Sequence, residues 1–346
     1  MKMRASVIGA TGYAGVELVR LLAQHPAVEI ATITSESNTG ESLVSLYPHL
    51  AGNINLELAS MKAIEAIAAD SEVIFIALPH GHAMKIGAQL RGSSTRIIDL
   101  GGDYRFQDPQ VFEKWYHVKH EDPQTKAVYG LTELYREQVK TAKLLANPGC
   151  YTTCSILALT PLLKAGLIAT TGIIIDAKSG TTGAGRSLRM GSLYCSVNEN
   201  FHAYGVANHR HTPEIEQVYS EFAGEAVVIQ FTPHLLPVDR GIFATCYATL
   251  QPGVTGAMVT AAFQSMYQNE FFIRLRGEGN CPELKNVRAS NFVDLGWQID
   301  TRTNRIIVMS VLDNLVKGAA GQAVQNMNVM FGLDETMGLR QLPIYP

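Results

Sequence analysis

The stretch GATGYAG at residues 9–15 decides the fold of the first part of the chain. It follows a short apolar run, Arg4–Ile8, and precedes the helical periodicity of Val16–Gln24, so the order is strand, glycine turn, helix. Glycines in such a turn let main-chain N–H groups approach a pyrophosphate at the helix N-terminus. The spacing is GxxGxxG rather than the more usual GxGxxG. We therefore predict a dinucleotide-binding turn formed by Gly9, Thr11, Gly12, Tyr13, Ala14 and Gly15.

The alternation of strand and helix patterns continues for about the first hundred residues. Val28–Thr34, Glu72–Leu78 and Thr95–Leu100 are predicted strands. Met61–Ala69 and His82–Leu90 are predicted helices. Strands that alternate with helices imply a parallel sheet covered on both faces. We therefore predict an α/β domain with a doubly wound, Rossmann-type sheet.

The second part of the chain has a different pattern. A predicted helix, Cys150–Ala165, precedes a run of strand candidates interrupted by the helix Val254–Met266. The strand candidates are Gly172–Ala177, Ala226–Phe231, Ile242–Leu250, Asn291–Asp300 and Arg305–Leu312. Runs of strands with few helices predict an α+β domain with an antiparallel sheet. The segment Asn314–Met330 is predicted to be helical and to fold back, so the predicted domains are 1–149 plus 314–346, and 150–313.

Composition excludes several classes of protein. Hydrophobic residues are 47% and charged residues 17% of the 346, which excludes intrinsic disorder. With 28 basic and 31 acidic residues the net charge is −3, so we expect neither nucleic acid nor membrane as a partner. The five cysteines are widely spread, and they form neither a disulfide framework nor a metal-ligand set with the histidines. We expect a cytosolic protein without a bound metal.

The residues after the second strand bear on the choice of cofactor. Hydroxyl groups at Thr34 and Ser35 can donate hydrogen bonds to a 2′-phosphate, which a carboxylate at that place would repel. Glu36 leaves the choice ambiguous, and Ser35 and Ser37 are equally typical of the start of a loop. The pattern favours NADP over NAD.

Cys150 lies in the sequence NPGCYTT, at the first turn of a predicted helix. The N–H groups and the positive dipole end of a helix stabilise a thiolate, which is the nucleophile needed for covalent acyl transfer. The alternative is a small buried side chain, as we expect for Cys154.

The sequence NHRHTPE at residues 208–214 is the best candidate for the accompanying base. Thr212 is the predicted N-cap and Pro213 the first residue of a helix that runs to Phe222. His209 and His211 are candidates for proton transfer, with Glu214 as a partner carboxylate, and Arg210 can bind an anion.

Two further segments are candidate anion sites. The loop KSGTTGAGR at residues 178–186, which ends at Arg186, is rich in glycine and hydroxyl groups. Arg105 follows another strand, where it could hold an oxyanion with two hydrogen bonds. The alternatives are a flexible loop and a surface ion pair.

Taken together, five motifs resemble the N-acetyl-gamma-glutamyl-phosphate reductases, relatives of aspartate-semialdehyde dehydrogenase. The motifs are GATGYAG (9–15), NPGCYTT (147–153), SGTTGAGR (179–186), HRHTPEI (209–215) and DNLVKGAAGQAVQNMN (313–328). The resemblance covers nearly the whole chain and implies NADP-dependent reduction of an acyl phosphate. It also implies a substrate and dimerisation domain of dehydrogenase type, within a homodimer or homotetramer that associates through the sheet of that domain.

The resemblance also implies roles for residues. Cys150 resembles the nucleophile, and an acid/base histidine is either His209 or His211, with a slight preference for His211. Ser179, Arg186, Arg105 and Arg210 are expected at the substrate, and Pro79, Ser179, Gly180 and Asn314 at the cofactor. The alternatives are a reductase of aminoadipyl or aspartyl phosphate, and a catalytically silent NADP-binding regulator; the presence of Cys150 and His211 argues against the regulator.

Overall fold

The computed structural model describes residues 2–345. Its strands are β1 Met3–Ile8, β2 Val28–Thr34, β3 Leu58–Ala59, β4 Val73–Ile76, β5 Arg96–Asp99, β6 Val128–Tyr129, β7 Leu144–Ala146, β8 Ile173–Ser179, β9 His202–Ala203, β10 Ile229–Leu235, β11 Ile242–Thr249, β12 Ile273–Glu278, β13 Val293–Asp300 and β14 Arg305–Leu312. Its α-helices are α1 Tyr13–Ala23, α2 Leu43–Leu46, α3 Ile64–Ala69, α4 Ala83–Gln89, α5 Pro109–Tyr116, α6 Thr132–Thr141, α7 Cys150–Lys164, α8 Tyr194–Val197, α9 Thr212–Ala223, α10 Gly256–Tyr267 and α11 Gly321–Met330.

The chain separates into two units. The first runs through Gly149 and includes Ala319–Arg340, and the second comprises Cys150–Gly318 and the residues from Gln341 onward. The prediction had assigned 314–318 and the last residues to the first unit. Asn314 instead belongs to the second unit, because its side-chain oxygen accepts a hydrogen bond from the main-chain N–H of Gly241 at 2.8 Å.

The first unit contains a parallel sheet in the order β3-β2-β1-β4-β5-β7-β6. The predicted Rossmann-type fold is confirmed. From β1, the chain passes to β2 on one side and later to β4 on the other, so the strand order reverses between β1 and β4. In such sheets ligands bind in the crevice at the carboxyl ends of the strands at this point. The glycine turn after β1 lies there.

Helices cover both faces of this sheet. Every residue of β4 is buried, which requires cover on each side. Ile74 and Ile76 belong to an apolar cluster with residues of α3, α4 and α5, including Met84 and Phe112. Helix α1 packs against β1, β2 and α11, and α11 also packs against α6.

The second unit contains a sheet in the order β12-β13-β14-β11-β8-β10-β9. The predicted α+β class is confirmed, but the sheet is mixed rather than antiparallel, because β8 pairs with β10 and β12 with β13 in parallel. Helix α9 provides the crossover that a parallel β8–β10 pair needs. Alternate residues of β8 and β11 are buried, and α7, which packs on β11 and β14, contacts α9 and α10.

Two predicted segments differ from the structure. Strand β10 continues past the predicted end at Phe231 to Leu235, because it pairs with β8 over its whole length, including Pro233 opposite Ala177. The predicted continuous helix Asn314–Met330 is a π-helical turn, Val316–Ala320, followed by α11. Among residues 2–345, no helix combines the length and the apolar character needed to cross a membrane.

Candidate active site

The three glycines of the turn after β1 meet different surroundings. Gly9 has φ = +88°, and a Cβ there would lie 2.5 Å from the carbonyl oxygen of Ala77. A Cβ on Gly15 would lie 2.2 Å from the carbonyl oxygen of Gly9, whereas one on Gly12 would meet nothing closer than 3.8 Å. Packing therefore requires glycine at 9 and 15, whereas the space beside Gly12 is open. Gly12 caps α1, whose first turn (which includes Tyr13 and Ala14) has no acidic residue, so this N-terminus fits a pyrophosphate.

The residues after β2 form a hydroxyl-rich corner beside this turn. The side-chain oxygen of Ser35, which is buried, lies 3.1 Å from that of Thr11. The carboxylate of Glu36 accepts hydrogen bonds from the main-chain N–H of Met61 at 2.7 Å and from the Ser60 hydroxyl at 3.3 Å. The Glu36 carboxylate is thus hydrogen-bonded to the segment after β3. The sequence left open whether this carboxylate would disfavour a 2′-phosphate, and these contacts hold it on that segment. The corner fits a 2′-phosphate better than a bare ribose.

Two other predicted residues lie in the first unit. Pro79 follows β4, whose neighbour in the sheet is β1, so it lies at the same sheet edge as the glycine turn. Arg105 is buried, and its guanidinium donates from Nε to the carbonyl of Asn147 and from Nη2 to that of Leu100, both at 2.9 Å. Arg105 therefore links the residues that follow β5 and β7.

Cys150 is the first residue of α7 in the second unit; it carries a thiol rather than a disulfide and is half-buried. The next residue, Tyr151, is buried, and its hydroxyl donates to the carbonyl of His234 at 3.2 Å. Tyr204 donates in turn to the hydroxyl of Tyr151 at 3.0 Å. Burial raises the pKa of Tyr204 to about 12 and that of Tyr151 further, so both phenols remain protonated at neutral pH.

Both candidate histidines pack around Tyr151. The ring of Tyr151 lies 5.7 Å from that of His209 and 6.0 Å from that of His211, and the two imidazoles are 4.8 Å apart. Nδ1 of His209 accepts from the main-chain N–H of His211 at 3.2 Å. Burial, and then the charge of Arg210, lower the pKa of His209 to about 4. His209 is therefore neutral at physiological pH, with its proton on Nε2.

Glu214 lies in the first turn of α9 and is fully buried. Its carboxylate accepts a hydrogen bond from the hydroxyl of Thr152 at 2.9 Å, which joins the first turns of α7 and α9. The predicted N-cap was wrong by one residue: Thr212 is the first helical residue, and His211 precedes the helix without a side-chain cap. The pair Thr152–Glu214 thus holds the helix start that carries His211 beside the helix start that carries Cys150.

The loop after β8 is braced by the segment that precedes β11. A Cβ on Gly180 would lie 2.7 Å from the carbonyl oxygen of Asp239, so this close approach requires glycine. Asn314 links the two segments, because it accepts from Gly241 and donates to the Thr182 hydroxyl at 3.0 Å. Ser179 is buried at the end of β8, and its hydroxyl donates to the carbonyl of Gly180 at 2.9 Å.

Arg186 and Arg210 are exposed, with side chains accessible to solvent. Both lie in the second unit: Arg186 ends the predicted anion-binding loop 178–186, and Arg210 lies between the two candidate histidines.

Sequence reasoning gave no role to Tyr151, Tyr204 or Gly318. Tyr151 was visible as the neighbour of Cys150, but its contacts with two distant histidines have no local signature. Gly318 lies in the π-helical turn, and a Cβ there would come 2.8 Å from Cβ of Cys150. The only sequence signal for Gly318 was a glycine inside an otherwise helical pattern.

Two family models match the chain. Residues 4–142 match the NAD binding domain of semialdehyde dehydrogenases, and residues 150–314 match their dimerisation domain. Solved structures agree on the fold: aspartate semialdehyde dehydrogenase II from Vibrio cholerae has a TM-score of 0.73 at 15% identity, covering 96% of this chain and 99% of that one. The aspartate semialdehyde dehydrogenase with NADP from Candida albicans has a TM-score of 0.65 at 16% identity, with the same coverage.

Curated relatives are much more similar in sequence. The N-acetyl-gamma-glutamyl-phosphate reductase of Symbiobacterium thermophilum is 50% identical over 350 aligned positions, covering 100% of both chains. That of Pelotomaculum thermopropionicum is 48% identical over 348, again covering 100% of both. The chain belongs to the N-acetyl-gamma-glutamyl-phosphate reductase family of the semialdehyde dehydrogenases.

Proposed function

We propose that this chain reduces N-acetyl-gamma-glutamyl phosphate to N-acetylglutamate semialdehyde and phosphate with NADPH, a step of arginine biosynthesis. The observation that carries the proposal is the thiol of Cys150 at the start of α7, beside the Tyr151–histidine cluster. Sequence identities of 50% and 48% over the full length of two curated N-acetyl-gamma-glutamyl-phosphate reductases support this acyl phosphate as the substrate. The first unit is the proposed NADP-binding domain, and the second carries the nucleophile.

The proposed chemistry begins with the thiolate of Cys150. The N–H groups of the first turn of α7 stabilise its charge. The sulfur attacks the acyl carbon, the carbon–oxygen bond to phosphate breaks, and a thioester forms on Cys150. A thioester accepts a hydride more readily than a carboxylate does, which is the reason for covalent catalysis here.

His211 is the proposed acid/base. A histidine that transfers protons near neutral pH needs a pKa close to that pH, and a pKa of about 4 makes His209 poorly suited. In the proposed mechanism His211 protonates the thiohemiacetal oxygen and then takes the proton back as the carbon–sulfur bond breaks. His209 packs against His211 and is proposed to hold its ring, and Glu214 fixes the helix that follows.

NADP would be held, in this proposal, by the turn Gly9–Gly15, by Ser35 and by Pro79, which follows the neighbouring strand β4. When bound as NADPH, it supplies the hydride that reduces the thioester. The open space beside Gly12 would admit the pyrophosphate, and the hydroxyls of Thr11 and Ser35, 3.1 Å apart, would hold the 2′-phosphate. Ser179, Gly180 and Asn314, all in the second unit, are further proposed cofactor-binding residues.

Charged groups for the substrate come from three arginines. Arg210 and Arg186 are exposed and are proposed to bind the phosphate and the α-carboxylate of the substrate. Arg105, braced by two main-chain carbonyls, is proposed to contribute positive potential near the substrate anion. Ser179 adds a hydroxyl at the end of β8.

We further propose a homodimer or homotetramer that associates through the open face of the second sheet. On the face not covered by α7, the strands carry half-buried apolar side chains: Ile174, Phe243, Tyr247, Ile307 and Met309. An apolar sheet face of this kind is typical of a subunit interface. Five cysteines that all carry thiols agree with a cytosolic location, which is part of the same proposal.

The substrate is tested by running the reaction in reverse. N-acetylglutamate semialdehyde, phosphate and NADP should yield NADPH, followed by its absorbance. Aspartate semialdehyde serves as the matched control. NADPH formation with aspartate semialdehyde but not with the acetylated aldehyde would contradict the proposed substrate.

The role of Cys150 is tested with Cys150→Ser. Serine keeps the size and hydrogen bonding of the side chain but is a far weaker nucleophile at neutral pH. Turnover should be nearly abolished, whereas NADPH binding, measured by fluorescence titration, should be unchanged. A variant that keeps the wild-type rate would exclude the thioester mechanism.

A further inference from the structure

The main chain of Gly318 lies directly against Cys150. A Cβ on Gly318 would be 2.8 Å from Cβ and 3.2 Å from Cα of Cys150, and distances under 3.0 Å are essentially never found for real Cβ atoms. The third of the three nearest atoms, Cδ1 of Leu312 at 3.2 Å, is the end of a flexible side chain. A side chain at 318 could be accommodated only if Cys150 or the π-helical turn moved.

The side chain and the carbonyl of Asp313 hold the turn that carries Gly318. This fully buried carboxylate accepts hydrogen bonds from the main-chain N–H groups of Leu315 at 2.8 Å and Val316 at 3.1 Å, and from that of Ala289 at 2.7 Å. The N–H of Gly318 donates to the carbonyl of Asp313 at 2.9 Å, five residues back, which makes the turn π-helical. The turn therefore has little freedom to withdraw from Cys150.

The start of α7 is held equally firmly. The three residues after Cys150 are fully or almost fully buried, and Thr152 is bonded to Glu214. One turn further on, the thiol of Cys154 donates to Ser310 at 3.2 Å. Cys150 thus lies between two segments that are each held by buried hydrogen bonds. Because residue 318 is a glycine, the π-helical turn can approach Cys150 this closely.

We propose that Gly318 is a positioning residue that sets the place of the Cys150 thiol. This inference rests on the proposed function, in which Cys150 is the nucleophile. Single π-helical turns inside α-helices are rare and occur frequently at functional sites. A methyl group at 318 would displace the sulfur by part of an ångström, and a misplacement of about 1 Å can reduce a rate about 100-fold.

The test compares Gly318→Ala with Gly191→Ala. Gly191 lies in the same unit, and a Cβ there would meet nothing within 4 Å, so the control makes the same chemical change in open space. Cys195 and Cys281 are exposed and are replaced by Ser in every protein, so that iodoacetamide reports on Cys150.

The readouts are kcat, KM for NADPH and the pH dependence of the alkylation rate. For Gly318→Ala we expect kcat to fall about tenfold or more with an unchanged KM for NADPH, and the alkylation profile to shift along the pH axis. Gly191→Ala should match its parent throughout. A Gly318→Ala protein with the parent's kcat and alkylation profile would overturn the proposal.

A thermal-melting cycle covers the case in which Gly318→Ala folds poorly. Cys150→Gly removes the Cβ that a methyl at 318 would meet, so Gly318→Ala should lower Tm clearly in the parent and much less in the Cys150→Gly protein. An equal loss in both backgrounds would refute the contact. Neither the melting temperature nor the alkylation rate is measured with substrate, so both tests of Gly318 remain valid even if the proposed substrate is wrong.

Discussion

Replacing Thr152 by valine removes the buried hydroxyl that donates to Glu214 and keeps the shape of the side chain. Both Thr152 and Glu214 are fully buried, and their 2.9 Å hydrogen bond joins the first turns of α7 and α9. Because the acceptor is a carboxylate without access to bulk water, the loss of this donor leaves the carboxylate less well solvated. We therefore expect Thr152→Val to destabilise the second unit strongly for a change of so few atoms.

The expected loss is about 2 kcal/mol of unfolding free energy, the usual value for a hydrogen bond to a charged group. Thr160→Val is the matched control, because Thr160 is also fully buried in α7 and its hydroxyl donates to the carbonyl of Ile156 at 2.6 Å. That acceptor is neutral and belongs to the same helix, so the control should cost about 1 kcal/mol or less.

The measurement is urea denaturation followed by tryptophan fluorescence. The chain has two tryptophans, and Trp297 is buried in β13 of the second unit. In a Trp115→Phe background the signal reports on the second unit alone, since Trp115 belongs to α5 of the first. If Thr152→Val lowers the free energy of unfolding by no more than Thr160→Val does, and the slope of that free energy with urea concentration is unchanged, the reasoning about the buried carboxylate is refuted.

Three further predictions concern the cofactor turn and the histidines. Gly12→Ala should weaken NADPH binding by fluorescence titration and leave Tm nearly unchanged, whereas Gly15→Ala should lower Tm, because its Cβ would lie 2.2 Å from the Gly9 carbonyl oxygen; the reverse pattern would contradict the assignment. The pKa of His209 is about 4 in the folded state and about 6.5 in the unfolded state, so the unfolded state binds more protons between these pH values, and stability falls as pH falls through them. His209→Gln should therefore reduce the difference between the urea midpoints measured at about pH 7 and about pH 5. An unchanged difference would refute the lowered pKa of His209. Ser37→Asp, on the exposed side of the hydroxyl corner, should raise KM for NADPH more than for NADH; equal changes would contradict a 2′-phosphate there.

The fold class could be predicted because its signals are local. The turn Gly9–Gly15, with an apolar strand before it and a periodic helix after it, predicted the Rossmann-type sheet that the structure contains. The patterns failed where distant residues decide the conformation. Asn314–Met330 looks like one helix, yet the side chain of Asp313 accepts from the N–H of Leu315 and its carbonyl accepts from the N–H of Gly318, so the first part of the segment is a π-helical turn.

The sequence predicts the residue types of the candidate site, but not how their side chains are arranged. A cysteine at a helix start and a histidine pair before another helix are recognisable by residue type and position. The sequence left His209 and His211 undecided, because the pKa of an imidazole depends on burial and on neighbouring charges that come together only in the folded chain. Burial of His209 beside Arg210 provides the argument for His211.

The sequence by itself determined the class of both domains and the family, and it supplied the candidate site residues, because glycine turns, apolar periodicity and helix-start motifs each span only a few consecutive residues. Only the tertiary structure decided how those residues are held. The contacts of Cys150 with Gly318, of Thr152 with Glu214 and of Tyr151 with the histidines join residues tens to more than a hundred positions apart. Such contacts arise from packing two helix starts and a π-helical turn onto one sheet, and no local pattern encodes them.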